Sequence, residues 1–374
     1  MKIFTLPNKK MFIDINWLLF IMTILIFFVG FVNMYSASSM RLEDGITHAP
    51  FYEKQLMWGG IGLCIMFGTM FINYKVLEHY ADIFYYLVLI LLMLVPIIGK
   101  TVYGAQRWLD LGFFSIQPSE FAKFSVLLMG AKFLSKDGET LGWVRLCKLM
   151  IIGIVPFALI VKQPDLGTGL TVVFLVAGMA LFHGIKWKVL RICLVIIPLL
   201  LPLSWFVLHD YQQERIKTFL DPTRDPRGAG YHIIQSQIAI GSGQLLGKGF
   251  QEGTQSQLRF LPEKHTDFAV AVLGEEWGFV GSMGVVVIFC FFLFSIYSTI
   301  SDARDRFGGT LCAGIFFYFF WQIVVNTGMV VGLMPVVGIP LPFISYGGTA
   351  MTVNCTFIGI VLSVSINRFV FKTQ

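Results

Sequence analysis

Apolar runs of about 20 residues, the length of one helical crossing of a 30 Å hydrocarbon core, recur along this chain between charges, Gly and Pro. Seven are clear: Trp17 to Ala37, Leu77 to Ile98, Leu149 to Val161, Leu170 to Phe182, Leu190 to Leu208, Val270 to Ile300 and Thr310 to Met334. Leu56 to Ile72, Phe121 to Leu134 and Met351 to Ile366 are shorter or carry polar residues. Runs below the ideal length extend into their flanks, tilt, or pack inside a bundle. The expected fold class is therefore all-α, a polytopic membrane protein of about ten transmembrane helices, read as one unit over 1–374. Composition agrees. Only 13% of residues are charged, against about 25% in soluble chains, too few to cover a soluble enzyme's surface. The net charge of +6 is scattered through apolar sequence without a basic cluster, so nucleic acid is set aside. The first run follows Lys9, Lys10 and Asp14 and lacks a small-residue cleavage site before a soluble domain. It reads as a retained span, not a signal peptide.

Orientation follows from Lys and Arg in the short connections. With a cytoplasmic amino terminus, the inner segments hold 15 of them and the short outer segments 6. That asymmetry places both termini on the cytoplasmic side. One connection differs: a polar loop over 209–268, between spans seven and eight, lies on the outer face. Loops that long in a compact fold are usually functional or disordered. Its pattern of Tyr231, Ile233, Ile234, Ile238 and Ile240 predicts a short amphipathic helix, and the loop reads as an ordered lid. The six cysteines include no CxxC pair, and no GxxxxGK[ST] or HExxH occurs. Zinc, disulfide, ATP-motor and metalloprotease readings lose support.

Ionisable groups at membrane edges are functional candidates, because burying a charge in hydrocarbon costs several kcal/mol. They concentrate on the outer side. Arg107 stands beside Trp108, and Glu120 and Lys123 are i and i+3 on the helix that Pro118 starts, so they can pair on one face. A plain boundary ion pair and an interfacial anchor are the rival readings. Asp165 either caps the helix beginning near Thr168 or adds a carboxylate to a polar cavity with Arg107. Asp267 likewise either caps a helix or takes a proton. Its loop carries Arg215, Lys217, Arg224, Arg227, Lys248, Arg259 and Lys264. Cations converging on an acid at a membrane edge suit an anionic lipid-linked substrate whose diphosphate they hold, with the acid as general base. The Gly- and Pro-rich segment 328–349 is expected to shape the cavity or to pack helices closely, and is assigned no chemistry.

The segments QPSEFAK, KQPDLGT, DPTRDPRGAGYHIIQSQIAIGSG, GKG, QSQLRFLPEKHTDF, GEEWG and NTGMVVGLMPVVGIPLPFISYGGT, in this order, strongly resemble the SEDS family (shape, elongation, division and sporulation), and its RodA, rod-shape-determining branch most. The resemblance runs from about Tyr35 to Arg368. It implies a ten-span protein of the bacterial inner membrane that polymerises peptidoglycan glycan strands from lipid II. The implied partners are a class B penicillin-binding protein, the transpeptidase that cross-links the strands, and other elongation-complex proteins. The family's essential loop aspartate falls on Asp267. Its other motif positions fall on Arg107, Glu120, Lys123 and Asp165, and loop positions often shared in the family on Arg215, Lys248, Gln255 and Ser256. Two departures are visible. Gln244 stands where a second Gly is usual, which puts the shape of that turn in doubt, and Ala350 replaces a commoner Ser.

The implied reaction is an inverting glycosyl transfer. Asp267 takes the proton of the acceptor GlcNAc 4-hydroxyl as it attacks C1 of the donor MurNAc. Undecaprenyl diphosphate leaves, its charge met by Arg107, Lys123 and loop cations. A divalent cation, Mg or Mn, is compatible with this chemistry, and no ligand cluster specifies it. The rivals are a lipid II flippase, disfavoured by the scarcity of charge at span centres, and a non-catalytic activator of the transpeptidase.

Overall fold

All ten apolar runs are helical in the computed structural model. It describes residues 13–369 apart from 43–44, 49–50, 103–104, 111, 113–114, 137, 207, 209, 226–227, 259 and 262. Arg227, Arg259 and the terminal lysines of the charge count lie outside these residues. The long helices are α1 (Trp17–Ser38), α2 (Phe51–Phe71), α3 (Tyr74–Ile98), α4 (Pro118–Ser135), α5 (Trp143–Val161), α6 (Leu166–His183) and α7 (Trp187–Ser204). The loop then holds α8 (Asp210–Leu220), α9 (Ala229–Ser242) and α10 (Thr254–Gln257). The chain closes with α11 (Ala269–Asp302), α12 (Arg306–Val330) and α13 (Gly348–Ile366). Among the described residues, seven helices are long and apolar enough to cross a membrane unaided. The other three of the ten are α2 and α4, which pack against neighbouring helices, and α7, whose side chains are almost all exposed. The chain is a polytopic α-helical membrane protein.

The helices are apolar on both sides, as burial in a bilayer requires. On α3, Ala81, Tyr85, Val88, Leu92 and Val95 face the bundle, while Ile83, Tyr86, Ile90, Met93 and Ile97 point outward. Bundle helices surrounded by lipid gain little from the hydrophobic effect, so close packing and hydrogen bonds hold them. Thus α13 lies so close to α2 that a Cβ on Gly359 would stand 2.6 Å from the Met66 carbonyl oxygen. At the end carrying the basic inner segments, Asp305 caps α12 through the Gly308 amide (2.8 Å), accepts from Tyr74 Oη (2.9 Å) and pairs with Lys75 (3.1 Å). Asn16 caps α1 and donates to Ser295 O (2.8 Å) and Thr299 Oγ1 (2.9 Å) of α11.

At the other end, the hairpin β1 (Ser39–Leu42) with β2 (Gly45–His48) follows α1. A three-stranded antiparallel sheet of β3 (Lys100–Val102), β4 (Ala105–Asp110) and β5 (Ser115–Ile116) follows α3. The amphipathic helix expected around Tyr231–Ile240 is α9. Its Ser236 Oγ donates to Val330 O at the end of α12 (2.7 Å), which docks the loop on the bundle.

Helix α11 is broken within a run that reads as continuous in the sequence. Gly278 has φ 64° and ψ −159°, which interrupts the backbone ladder. The long loop between α7 and α11 repairs it. The amides of Lys248 and Gly249 donate to Glu275 O (3.0 Å) and Glu276 O (3.1 Å), and those of Phe279 and Val280 donate to Gln244 O (2.8 Å) and Leu245 O (3.1 Å). Only glycine permits this approach, since a Cβ on Gly247 would stand 2.1 Å from Glu276 O. The GKG and GEEWG segments therefore interlock. Gln244, the departure from the usual Gly, adopts φ 49°, a left-handed conformation that costs a non-glycine residue about 1 kcal/mol.

Candidate active site at the loop-bearing end of the bundle

Asp267 immediately precedes α11, yet it does not cap it: the cap position is Phe268, with no side-chain cap bond. Its backbone carbonyl accepts from Asn326 Nδ2 of α12 (3.2 Å), and the same nitrogen donates to Ile339 O (2.8 Å). Its half-buried carboxylate is turned to Gly338, where a Cβ would lie 3.7 Å from Oδ2. Gly338 has φ 73°, so the backbone itself forms that wall. Among the described residues no donor is hydrogen-bonded to the Asp267 carboxylate. Burial raises its pKa to about 6, with Glu263 and Asp165 adding to the rise and Arg215 and Arg107 opposing it. These are the groups that share its surroundings.

Each neighbour is anchored by backbone. Arg107, on β4, donates through Nε to Gln163 O (3.1 Å) and through Nη2 to Pro164 O. Gln163 is fixed in turn by its own donation to Leu92 O (3.0 Å). Arg215, on α8, donates to Val336 O (3.2 Å). Asp165 caps α6 through the Thr168 amide (3.3 Å) and accepts from Gln117 Nε2 (3.0 Å) and, at 3.5 Å, Ser119 Oγ. It is thus both cap and cavity carboxylate. Gly167, at the start of α6, abuts the Val337 carbonyl, which a Cβ would approach to 2.4 Å. The segment 336–339 is the hub on which Arg215, α6, Asp267 and Asn326 converge.

The remaining sequence candidates lie elsewhere. Glu120 and Lys123 are both buried and bonded to each other at 2.7 Å, with Lys123 Nζ 5.3 Å from the Tyr318 ring centre. Tyr318 Oη donates to Asn354 Oδ1 (2.7 Å). This polar core joins α4, α12 and α13, and Ser119 connects it to Asp165. Lys248, Gln255 and Ser256 surround a different acid, Glu275. Its buried carboxylate accepts from Lys248 Nζ (2.8 Å), Thr254 Oγ1 (3.3 Å) and the amides of Gln255 (2.9 Å) and Ser256 (3.1 Å). Beside it, Lys264 Nζ donates to Ser256 O (2.6 Å) and Ser39 O (3.1 Å), and Ser36 donates to Glu276. His265 stacks on Phe51 with ring centres 4.2 Å apart, and burial, with Lys264 beside it, lowers its pKa to about 4. It is neutral at pH 7.

Sequence reasoning assigned no role to Asn326, Gly338, Glu275 or Glu276. The signal available was a carboxamide and two acids inside apolar runs, where polar groups persist only with partners.

Residues 16–369 match the family model described as cell cycle protein, covering FtsW, RodA and SpoVE. The chain is 39% identical to the peptidoglycan glycosyltransferase MrdB of Escherichia coli over 97% of each chain, and 30% identical to the peptidoglycan glycosyltransferase RodA of Treponema pallidum over 95% of this chain and 98% of that one. Two solved structures resemble its fold. A chain of a peptidoglycan synthase complex that coordinates polymerization and crosslinking superposes with TM-score 0.81 at 30% identity, covering 95% of this chain and 98% of that one. The rod shape determining protein RodA of Thermus thermophilus superposes with TM-score 0.70 at 27% identity, with the same coverage. Matched by the family model over residues 16–369 and by these relatives over nearly the whole chain, the chain belongs to the FtsW, RodA and SpoVE family of cell cycle proteins.

Proposed function

We propose that this chain is a peptidoglycan glycosyltransferase that polymerises lipid II at the outer face of the bacterial inner membrane, with Asp267 as general base. The observation that carries the assignment of the base is its carboxylate: free of hydrogen-bond donors among the described residues, its pKa raised to about 6 by burial, with the charges of Arg215 and Arg107 opposing the rise. A base works best when its pKa lies near the working pH. The acceptor's 4-oxygen forms a bond to C1 of the donor sugar with inversion, the C1–oxygen bond to the diphosphate breaks, and the proton passes to Asp267 and then to water. One carboxylate suffices because diphosphate leaves readily, unlike the sugar alcohols of glycoside hydrolysis. Arg107 and Arg215 meet the charge on the leaving group. The Glu120–Lys123 pair supports the floor of the site, and Lys248, Gln255 and Ser256 act through the loop's shape. Asp165 and Asp267 offer oxygen donors of the kind Mg or Mn takes, and a divalent cation would screen the diphosphate. Both termini lie in the cytoplasm, and a class B penicillin-binding protein cross-links the strands.

The test is purified protein, with and without its transpeptidase partner, given labelled lipid II. Wild type makes glycan strands and folded Asp267→Asn does not. Strand synthesis by Asp267→Asn at the wild-type rate removes the base assignment. Lipid II scrambling in liposomes without polymerisation by any form would make the chain a transporter.

A further inference from the structure

The loop segment that repairs the break in α11 carries two adjacent leucines with nothing over them: Leu245 is 67% exposed and Leu246 80% exposed. Their depth is fixed by bonding. Leu245 O accepts from the Val280 amide and Gln244 O from Phe279, so the tip lies level with the first turn after Gly278. That turn begins an outward-facing apolar stripe of Phe279, Val280, Met283, Val287, Phe291 and Phe294 that ends near Tyr297. From Phe279 to Tyr297 the helix rises about 27 Å, close to the thickness of a hydrocarbon core. Phe279 and Val280 therefore stand at the outer edge of the hydrocarbon, with the half-exposed Trp277 just across the break at Gly278, where interfacial tryptophans gather. The apolar surface continues from Trp277 into a groove of about 210 Å³ between α1 and α11, lined by Phe28, Val32, Leu273 and Ile288.

We propose that Gln244–Gly249 is a wedge inserted in the outer leaflet, with Leu245 and Leu246 among phospholipid acyl chains. The interlock makes this affordable for the backbone. The Lys248 and Gly249 amides and the Gln244 and Leu245 carbonyls are bonded to the ends of the broken helix, and the Gly247 amide to Gly243 O, which lowers the cost of placing this backbone at the hydrocarbon edge. Lys248, inside the wedge, is taken up by Glu275 at 2.8 Å and carries no free charge into the lipid. The outer loop is thereby fastened to the bilayer as well as to the bundle, independently of which residue is the base.

The test places a photoreactive diazirine amino acid at position 246, and in a second protein at 245, in the full chain reconstituted in phosphatidylethanolamine and phosphatidylglycerol vesicles. Val287 serves as the mid-span control and Asp221 as the exposed loop control. Acyl-chain adducts at 245 and 246 are expected at the Val287 level, about tenfold above Asp221, as for a buried interfacial segment. Yields at both positions equal to those at Asp221 overturn the wedge. So does the same experiment in cells if it gives adducts to another polypeptide in place of lipid, which would make the patch a seat for a partner's helix.

Discussion

Two carboxylates stand eight residues apart at the loop-bearing end of this molecule and have opposite surroundings. Glu275 is enclosed by Lys248, the Thr254 hydroxyl and two backbone amides. Asp267 has cations nearby, but among the described residues no donor is bonded to its oxygens, and its pKa lies near 6. A buried acid with its donors in place is fixed as an acceptor and serves architecture. One that is half-buried, flanked by charge and left with open oxygens can exchange a proton. The difference separates the lid's fastening from its chemistry.

The widest separation is expected from removing each acid in turn. Asp267→Asn should lower strand synthesis at least about a thousandfold, within the range for a lost general base, while the melting temperature at pH 7 is unchanged or raised. The sign follows from the raised pKa. The folded state holds that proton more tightly than the unfolded chain, so ionising Asp267 destabilises the fold as pH rises from the ordinary carboxyl range through 6. Glu275→Ala should do the reverse of Asp267→Asn, lowering stability by about 3 to 5 kcal/mol because it strands Lys248 and two amides. Thermal unfolding in detergent and protease cutting within 248–257 measure it. If Glu275→Ala melts normally while losing activity, the acid belongs to the chemistry and the contrast collapses.

Smaller effects sharpen the picture. Arg107→Ala should slow the chemical step by about a hundredfold, as for a lost electrostatic contact to a leaving group, and single-turnover assays with lipid II read it. Gln244→Gly relieves a left-handed non-glycine residue and should stabilise the chain by about 1 kcal/mol, less the greater entropy of an unfolded glycine. A melting temperature lowered by this change would mean that the Gln244 side chain makes a contact worth more than the strain.

Most of the fold was legible in the sequence because it follows from local patterns. Each apolar run became a helix, and the pattern from Tyr231 to Ile240 became α9. The charged loop residues could be read as a set but not divided. Nothing local distinguishes Arg215, which reaches the Val336 carbonyl, from Lys248, which reaches Glu275. The division depends on the break at Gly278, and that break depends on contacts with residues about 30 positions earlier. Likewise Asp165 and Asp267 both precede helices in sequence. Only the first caps one, because Asn326 and Gly338 hold the second against segment 336–339.

The pH dependence of strand synthesis, with lipid II saturating, tests the role of Asp267 most directly. The ionised base is the active form, so the rate should be full above about pH 7 and fall as pH drops through the Asp267 pKa near 6. Arg215 holds that pKa down, so Arg215→Leu should move the acidic limb to higher pH. A rate that stays level through pH 6, or a limb that Arg215→Leu leaves in place, would contradict Asp267 as the base.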